Sequence, residues 1–261
     1  MQKLLADEVV VFESTDGAGI VRLNRPDVHN AINAVVMEAL ESVFDKVEAD
    51  PQIRALIITG TGSKSFCAGG DLQYFATLDT REKGIEMSRR MQVLLDRLWS
   101  GQKPVIAAVN GQALGGGCEI LTACHFRIAA STANFAYRQA ANGLVTGWGG
   151  GMRLFHLVGR TPALKLLLTG DSIDAAEALR IGLIDQIEEP QNLLETSVAF
   201  AKKISRHSAA VVAAILELAR LYLKGDIEKA IERETELFGD RWTSDEFKQA
   251  IRAFQDKRLI R

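Results

Sequence analysis

The chain has few cysteines, and none in a ligating pattern. Cys67, Cys118 and Cys124 form an odd set without CxxC spacing. That excludes a disulfide framework and a structural zinc module, and the three read as reduced thiols of a cytoplasmic protein. Long apolar runs are missing too. None approaches the ~20 residues that span a bilayer, so no membrane partner is expected. The opening MQKLLADEVVVFES carries acidic residues inside its apolar part and no small-residue cleavage site, so it does not read as a signal peptide. Charge of either sign is not in excess. A formal net charge of −2 gives no global pull toward nucleic acid or anionic lipid. Residues 60–65 (GTGSKS) lack the spacing of a phosphate-cradling loop, and no GxGxxG is followed by a suitably placed acid. No metal or tightly held cofactor is expected.

What is present is the balance of a globular protein, 47% hydrophobic and 25% charged residues in a chain of 261. That length buries a sizeable core, as one large domain or as a domain with an extension. The stretch that organises it is residues 104–126, PVIAAVNGQALGGGCEILTACHF. Residues 105–109 read as a buried strand, bounded by Pro104 and by Asn110-Gly111. Three glycines at 115–117 follow, and residues 118–124 read as an apolar helix. A helix that starts in glycines presents free backbone N–H groups, which favour a developing negative charge. Close packing alone also accounts for triple glycine. Glu119 has an ordinary reading as an acid in a first helical turn. Its neighbours are nearly all apolar, however, and burial among them is how proton-transfer groups are tuned.

Along the chain, residues 9–12 and 20–24 read as a hairpin turning at Asp16-Gly17. Residues 34–47 form an amphipathic helix capped by Asn33, and residues 55–59 a buried strand. Residues 60–71 (GTGSKSFCAGGD) read as a glycine-rich loop too apolar for a plain surface turn, with Gly69-Gly70 allowing a ligand close. Residues 80–98 are helical, with Ile85, Met91, Leu95 and Leu98 inward, and residues 126–130 a strand. In the loop 134–151, Trp148 either plugs a core gap or lines a pocket. Residues 154–168 and 174–180 are helical, and residues 183–187 a last strand. After Pro190 four helices follow without a strand: 193–206, 209–224, 227–238 and 245–254. The series Glu228, Glu232, Glu236 is a solvated face. The expected organisation is an α/β core over residues 1–190 and a helical oligomerisation region over 191–261.

NRPDVHNAI, SFCAGGDL, KPVIAAVNGQALGGGCEI, WGGGMRL, LLLTGDSIDAAEALRIGLID and AFQDKR stand in the order found in the crotonase (enoyl-CoA hydratase/isomerase) superfamily, which the whole chain resembles. The resemblance implies a spiral of repeated ββα units with a C-terminal helical trimerisation region, assembled as a homotrimer or a dimer of trimers. It implies an acyl-CoA thioester substrate, coenzyme A entering only as part of it. By motif position the backbone N–H groups of Gly70 and Gly116 become an oxyanion hole for the thioester enolate. Val28, His29 and Ala68 match positions around the nucleotide end of CoA, while Phe254 and Lys257 match tail residues that reach the CoA of an adjoining subunit.

Two departures bear on the reaction. Hydratases of the family hold a water between two glutamates. One matches Glu119 and the other falls at Gln139, which can hold a water but cannot exchange its proton. Thr146 stands where proline is usual, followed by Trp148. A tryptophan there with one retained glutamate is similar to the family's methylmalonyl- and ethylmalonyl-CoA decarboxylases. In that reading Glu119 delivers the proton, with Gln139 and Arg138 positioning the substrate carboxylate. The expectation is therefore a hydratase/isomerase-type lyase, with decarboxylation of a 2-carboxyacyl-CoA and non-catalytic CoA binding as alternatives.

Overall fold

The computed structural model describes residues 9–259 other than Lys224 and Asp226, with side chains as far as Ala253. The chain opens with a hairpin, β1 (Val10–Thr15) and β2 (Ala18–Leu23), whose turn holds Asp16 and Gly17 at positive φ. Helix α1 (Ala34–Ala49) follows, the Asn33 side chain accepting from the Val36 N–H as expected of its cap. A two-strand step then recurs. β3 (Ala55–Gly60) is followed by β4 (Ser65–Cys67) and the helices α2 (Leu72–Phe75) and α3 (Arg81–Ser100). β5 (Val105–Val109) is followed by β6 (Gln112–Leu114) and α4 (Gly116–Thr122), and β7 (Phe126–Ala130) by β8 (Asn134–Ala136), α5 (Gly150–Val158) and α6 (Arg160–Thr169). β9 (Ile173–Asp174), α7 (Ala175–Arg180) and β10 (Gln186–Glu188) complete the core, and α8 (Leu193–Ser205), α9 (Ala209–Leu223), α10 (Ile227–Trp242) and α11 (Asp245–Leu259) follow.

Successive strands are dealt alternately into two sheets. One runs β1-β2-β3-β5-β7-β10 and the other β4-β6-β8-β9. The repeated ββα spiral implied by the motifs is the observed architecture. In the larger sheet the residues alternate between two covered faces. Ile20, Ile57, Ile106 and Ile128 share a cluster with Leu193 and Ala201 of α8, while Leu56, Ile58 and Ala107 pack with α1, α3 and α4. Burial on both faces explains the continuous apolar runs of β3 and β5. The later helices carry exposed apolar side chains at Tyr222, Ile227, Ile231, Phe238 and Trp242.

The smaller sheet was hidden from sequence reading. Its strands β4, β6, β8 and β9 are two or three residues long. β4 and β8 lie inside segments read as loops, β6 lies in a stretch given no element, and β9 overlaps the start of the helix expected at 174–180. Such pieces carry too few residues for a period of two to register. Other boundaries also differ. The helix expected at 118–124 begins two residues earlier, because Gly116 and Gly117 are drawn into it. The helix expected at 154–168 is two helices parted at Gly159, whose φ is +76°. The strand expected at 183–187 sits at Gln186–Glu188, since Leu183 and Ile184 are spent on the core. Ile85 is half-buried rather than inward like Met91, Leu95 and Leu98.

Candidate active site

The small sheet places the site. β4, β6 and β8 are parallel neighbours, with Cys67 opposite Ala113 and Ala113 opposite Phe135. Their C-terminal ends therefore emerge side by side. They deliver Gly69-Gly70 from β4, Gly115-Gly116 from β6 and Tyr137–Gln139 from β8. The approach is close: a Cβ on Gly69 would lie 2.7 Å from the Gly116 nitrogen, and one on Gly117 would lie 2.0 Å from the Cys67 carbonyl oxygen. Gly69 at φ +90° and Gly115 at φ +52° occupy the left-handed half of backbone space that glycine tolerates.

The turn at Gly70 has a defined orientation. Ile32 N–H donates to the Gly69 carbonyl and Asp71 N–H donates to the Ile32 carbonyl, both at 2.8 Å. In that parallel bridge the N–H of Gly70 itself points away from Ile32. Gly116 is the first residue of α4, where an N–H has no intrahelical acceptor. Among the described residues neither amide has an acceptor. Each glycine lies under an aromatic ring. A Cβ on Gly70 would fall 2.0 Å from Cζ of Phe75, and one on Gly116 2.2 Å from Cζ3 of Trp148.

Glu119 is buried beside them, with 2% of its surface exposed. Its carboxylate reaches the start of α5, whose N-cap Gly149 has no side chain to offer. Oε2 accepts from the N–H groups of Trp148 (2.8 Å) and Gly150 (2.9 Å), and Oε1 from the Gly147 N–H (3.3 Å) and the Gln139 side-chain amide (3.0 Å). Gly150 is obligatory here, because a Cβ would sit 2.4 Å from Cγ of Glu119. Burial raises the Glu119 carboxyl above its ordinary range, while the Gly150, Trp148 and Gly147 amides and Gln139 act against it. A carboxyl so placed holds a proton more readily than an exposed one and is kept to one position by its donors.

Gln139 and Glu119 are thus brought together, and among the described residues the buried Oε1 of Gln139 has no hydrogen-bond partner. Arg138 is not part of the constellation: its guanidinium donates to the Gly170 carbonyl at 2.9 Å, away from Glu119. Trp148 resolves its two readings into one. It is 4% exposed, packs on Gly116 and donates its indole N–H to Met87 Sδ at 3.4 Å, so it fills core space and walls the site together. Val28, His29 and Ala68 also gather. The Ala68 N–H donates to the His29 carbonyl at 2.9 Å, and His29 Nδ1 lies 2.8 Å from Ser65 Oγ. His29 stands at φ +56°, and Val28 is exposed beside it. The side chains of Phe254 and Lys257 lie outside the described residues.

Sequence reasoning did not single out Asp71, Phe75 or Met87. Asp71 caps α2 by accepting from the Gln73 and Tyr74 amides, and pairs with Arg25 at 2.8 Å, which ties the Gly70 turn to the 25–32 segment. An aspartate ahead of a short apolar stretch was a legible cap signal. Met87 is four residues before Met91 on α3, so its inward face was legible as well. Its contact with Trp148 was not.

Residues 13–260 match the model of the family described as enoyl-CoA hydratase/isomerase. A short-chain-enoyl-CoA hydratase of Clostridium acetobutylicum is 37% identical over 257 residues, 96% of each chain. A crotonyl-CoA hydratase of Syntrophomonas wolfei is 37% identical over 254 residues, 97% of each chain. Among solved structures, an enoyl-CoA hydratase from Bacillus anthracis superposes with a TM-score of 0.90 at 28% identity, covering 95% of this chain and 96% of that one. Pseudomonas aeruginosa DspI superposes at 0.91 with 30% identity, covering 97% and 96%.

Proposed function

Because the chain belongs to the enoyl-CoA hydratase/isomerase family, we propose that this site binds an acyl-CoA thioester and works through its enolate, as a lyase of the hydratase type. The observation that carries the reading is the pair of acceptor-free amides at Gly70 and Gly116, delivered to one place by adjacent strands and bordered by the Glu119 carboxyl. The thioester oxygen takes both N–H bonds, which strengthen as negative charge builds on it. In hydration, a water oxygen bonds to the β-carbon while Glu119 takes its proton. The electron pair moves to the thioester oxygen, and the proton then returns to the α-carbon. The buried Oε1 of Gln139 accepts a hydrogen bond from the water's other O–H, which remains on the product hydroxyl.

The CoA nucleotide lies along Val28, His29 and Ala68, where the exposed turn is pinned to β4. Phe254 and Lys257 serve the CoA of a neighbouring subunit in a homotrimer or a dimer of trimers. The exposed apolar side chains of α9 and α10 supply surface for such an assembly. The protein works in the cytoplasm, without a cofactor of its own.

A second reading is favoured by Gln139. With one exchangeable carboxyl, loss of carbon dioxide from a 2-carboxyacyl-CoA also balances. The C–C bond breaks toward the thioester, the same amides hold the enolate, and protonated Glu119 gives its proton to the α-carbon. The raised proton affinity of Glu119 suits that role. A mass-spectrometric assay of crotonyl-CoA, a 3-enoyl-CoA, methylmalonyl-CoA and ethylmalonyl-CoA separates them. Gain of water on crotonyl-CoA supports hydration, and loss of carbon dioxide supports the second reading. CoA binding without turnover of any thioester overturns both and leaves a CoA-binding protein.

A further inference from the structure

Arg153 is the charged group near the site that the chemistry above does not use. It stands on α5, half-buried, and among the described residues it makes no ion pair. Its Nη2 donates to the Trp148 carbonyl at 2.8 Å, and its buried Nε has no partner among the described residues. The guanidinium also closes on Gly149, where a Cβ would lie 2.9 Å from Nη1. Gly149 has φ +80°, so the turn at 147–150 is both glycine-dependent and clasped by this side chain. The same turn gives Glu119 its three backbone donors. A partly buried cation is costly unless a negative charge is near. The carboxylate that supplies it is Glu119.

We infer that Arg153 is a positioning residue for Glu119: it clasps the 147–150 turn that cradles the carboxylate, and its charge favours the ionised form that takes a proton. The inference rests on the function proposed above. Titratable groups face Glu119 from each packed element. Cys118 comes from α4, Tyr137 from the segment after β8, and Arg153 from α5, while Gln139 is uncharged. Burial holds the thiol and the phenol in their neutral forms. Asp96 of α3 acts on Arg153 from its other neighbour. Arg127 is already paired with Asp185 at 3.0 Å. Of the charges that act on Arg153, that of Glu119 is the largest, and a Coulomb interaction acts on both of its partners. Burial weakens the proton affinity of its guanidinium, and Glu119 restores part of it.

Arg153→Gln keeps a polar side chain and removes the charge, whereas Arg153→Lys keeps the charge. Two readouts apply: the pH dependence of kcat/KM, and the carboxyl carbon resonance of Glu119 in protein labelled at glutamate, assigned with Glu119→Gln. In Arg153→Gln both the acid limb and the resonance titration move up by about half to one pH unit, an opposite charge acting through one turn. In Arg153→Lys both stay at the wild-type position. An unmoved titration in the Gln variant, or an equal move in the Lys variant, overturns the inference. If Arg153→Gln fails to fold, as judged by circular dichroism, Arg153→Met provides the same charge removal with the aliphatic stem kept. If the wild-type protein turns over no thioester, the proposed function fails alone, because the resonance titration still decides the role of Arg153.

Discussion

Gln139 donates its side-chain N–H to Oε1 of Glu119 at 3.0 Å, and among the described residues its own buried oxygen meets no donor. A carboxylate at position 139 would meet another across that distance. Two such charges do not both ionise, so one proton is retained. Gln139→Glu therefore has a carboxyl whose folded-state proton affinity is raised. The native state then binds more protons than the unfolded one. Its stability is highest below the ordinary carboxylate range and is lost as pH rises through the raised value. Thermal melts from pH 4 to pH 8 should show that decline in the variant beyond the wild-type slope. If hydration is the reaction, the second acid–base group also raises its rate, by a factor on the order of 10². A pH-independent difference in melting temperature would mean the two carboxyls swing apart.

The larger architecture was legible because its signals are long. The Asp16-Gly17 turn, the Asn33 cap and the apolar runs of β3, β5 and β7 each span enough residues to show a period or a boundary. Gly70, Gly116, Glu119 and Gln139 were each named from the sequence, and the structure brings them to one place, but their assembly was not legible. Nothing local says that residues 67, 113 and 135 line up, because that register belongs to three-residue strands paired across tens of positions. The apolar neighbours of Glu119 in sequence did announce a buried carboxyl. Its four donors did not appear there, since three of them are backbone groups of residues 147, 148 and 150.

Trp148 and Gly116 are packed so tightly that neither changes alone. In Gly116→Ala the new methyl group would fall 2.2 Å from the indole and must push it off the α4 start. Overpacking of this kind costs about 1–3 kcal/mol. The displaced indole also drags the Trp148 amide from Glu119. The single variant should lose both melting temperature and kcat, and Gly116→Ala with Trp148→Leu should recover stability without full activity. Gly116→Pro removes the N–H itself, and in a folded variant should cost about 2.7 kcal/mol or more of transition-state stabilisation. Differential scanning calorimetry beside kcat/KM checks the series. Additive losses in the double variant would mean that the two residues do not share this contact.

His125 sets an acid limit on the fold. Its Nδ1 accepts the Val105 N–H at 3.0 Å, which requires a neutral ring nitrogen. Burial, with Arg127 adding to it, lowers the imidazole from 6.5 to about 4. The sign follows. The folded state holds the ring neutral where the unfolded state protonates it, so stability is complete above pH 6.5 and is lost as pH falls toward 4. The loss reaches up to about 3 kcal/mol. Urea melts at pH 7 and pH 4.5 should show it, and His125→Leu should flatten that part of the dependence while lowering stability at pH 7. An unchanged acid slope in His125→Leu would assign the loss to other groups.

Glu119→Gln tests the proposed chemistry, and the geometry says what else it does. The carboxylate accepts four N–H bonds and caps α5, whose first-turn dipole favours an anion. An amide has one oxygen, so its NH2 must face a backbone donor or turn from it. Buried donors left without an acceptor cost about 1–3 kcal/mol. The variant should therefore melt several degrees lower, and turnover should fall at least about 10²-fold through loss of the exchangeable proton. CoA affinity, set at Val28, His29 and Ala68 in the proposed arrangement, should hold. The three readings separate the two roles that one carboxylate plays. Lost turnover with retained affinity in a folded protein makes Glu119 the proton carrier. A lower melting temperature with turnover kept would reduce it to the cap of α5, and the proton would then have to come from a group other than the one this turn was built around.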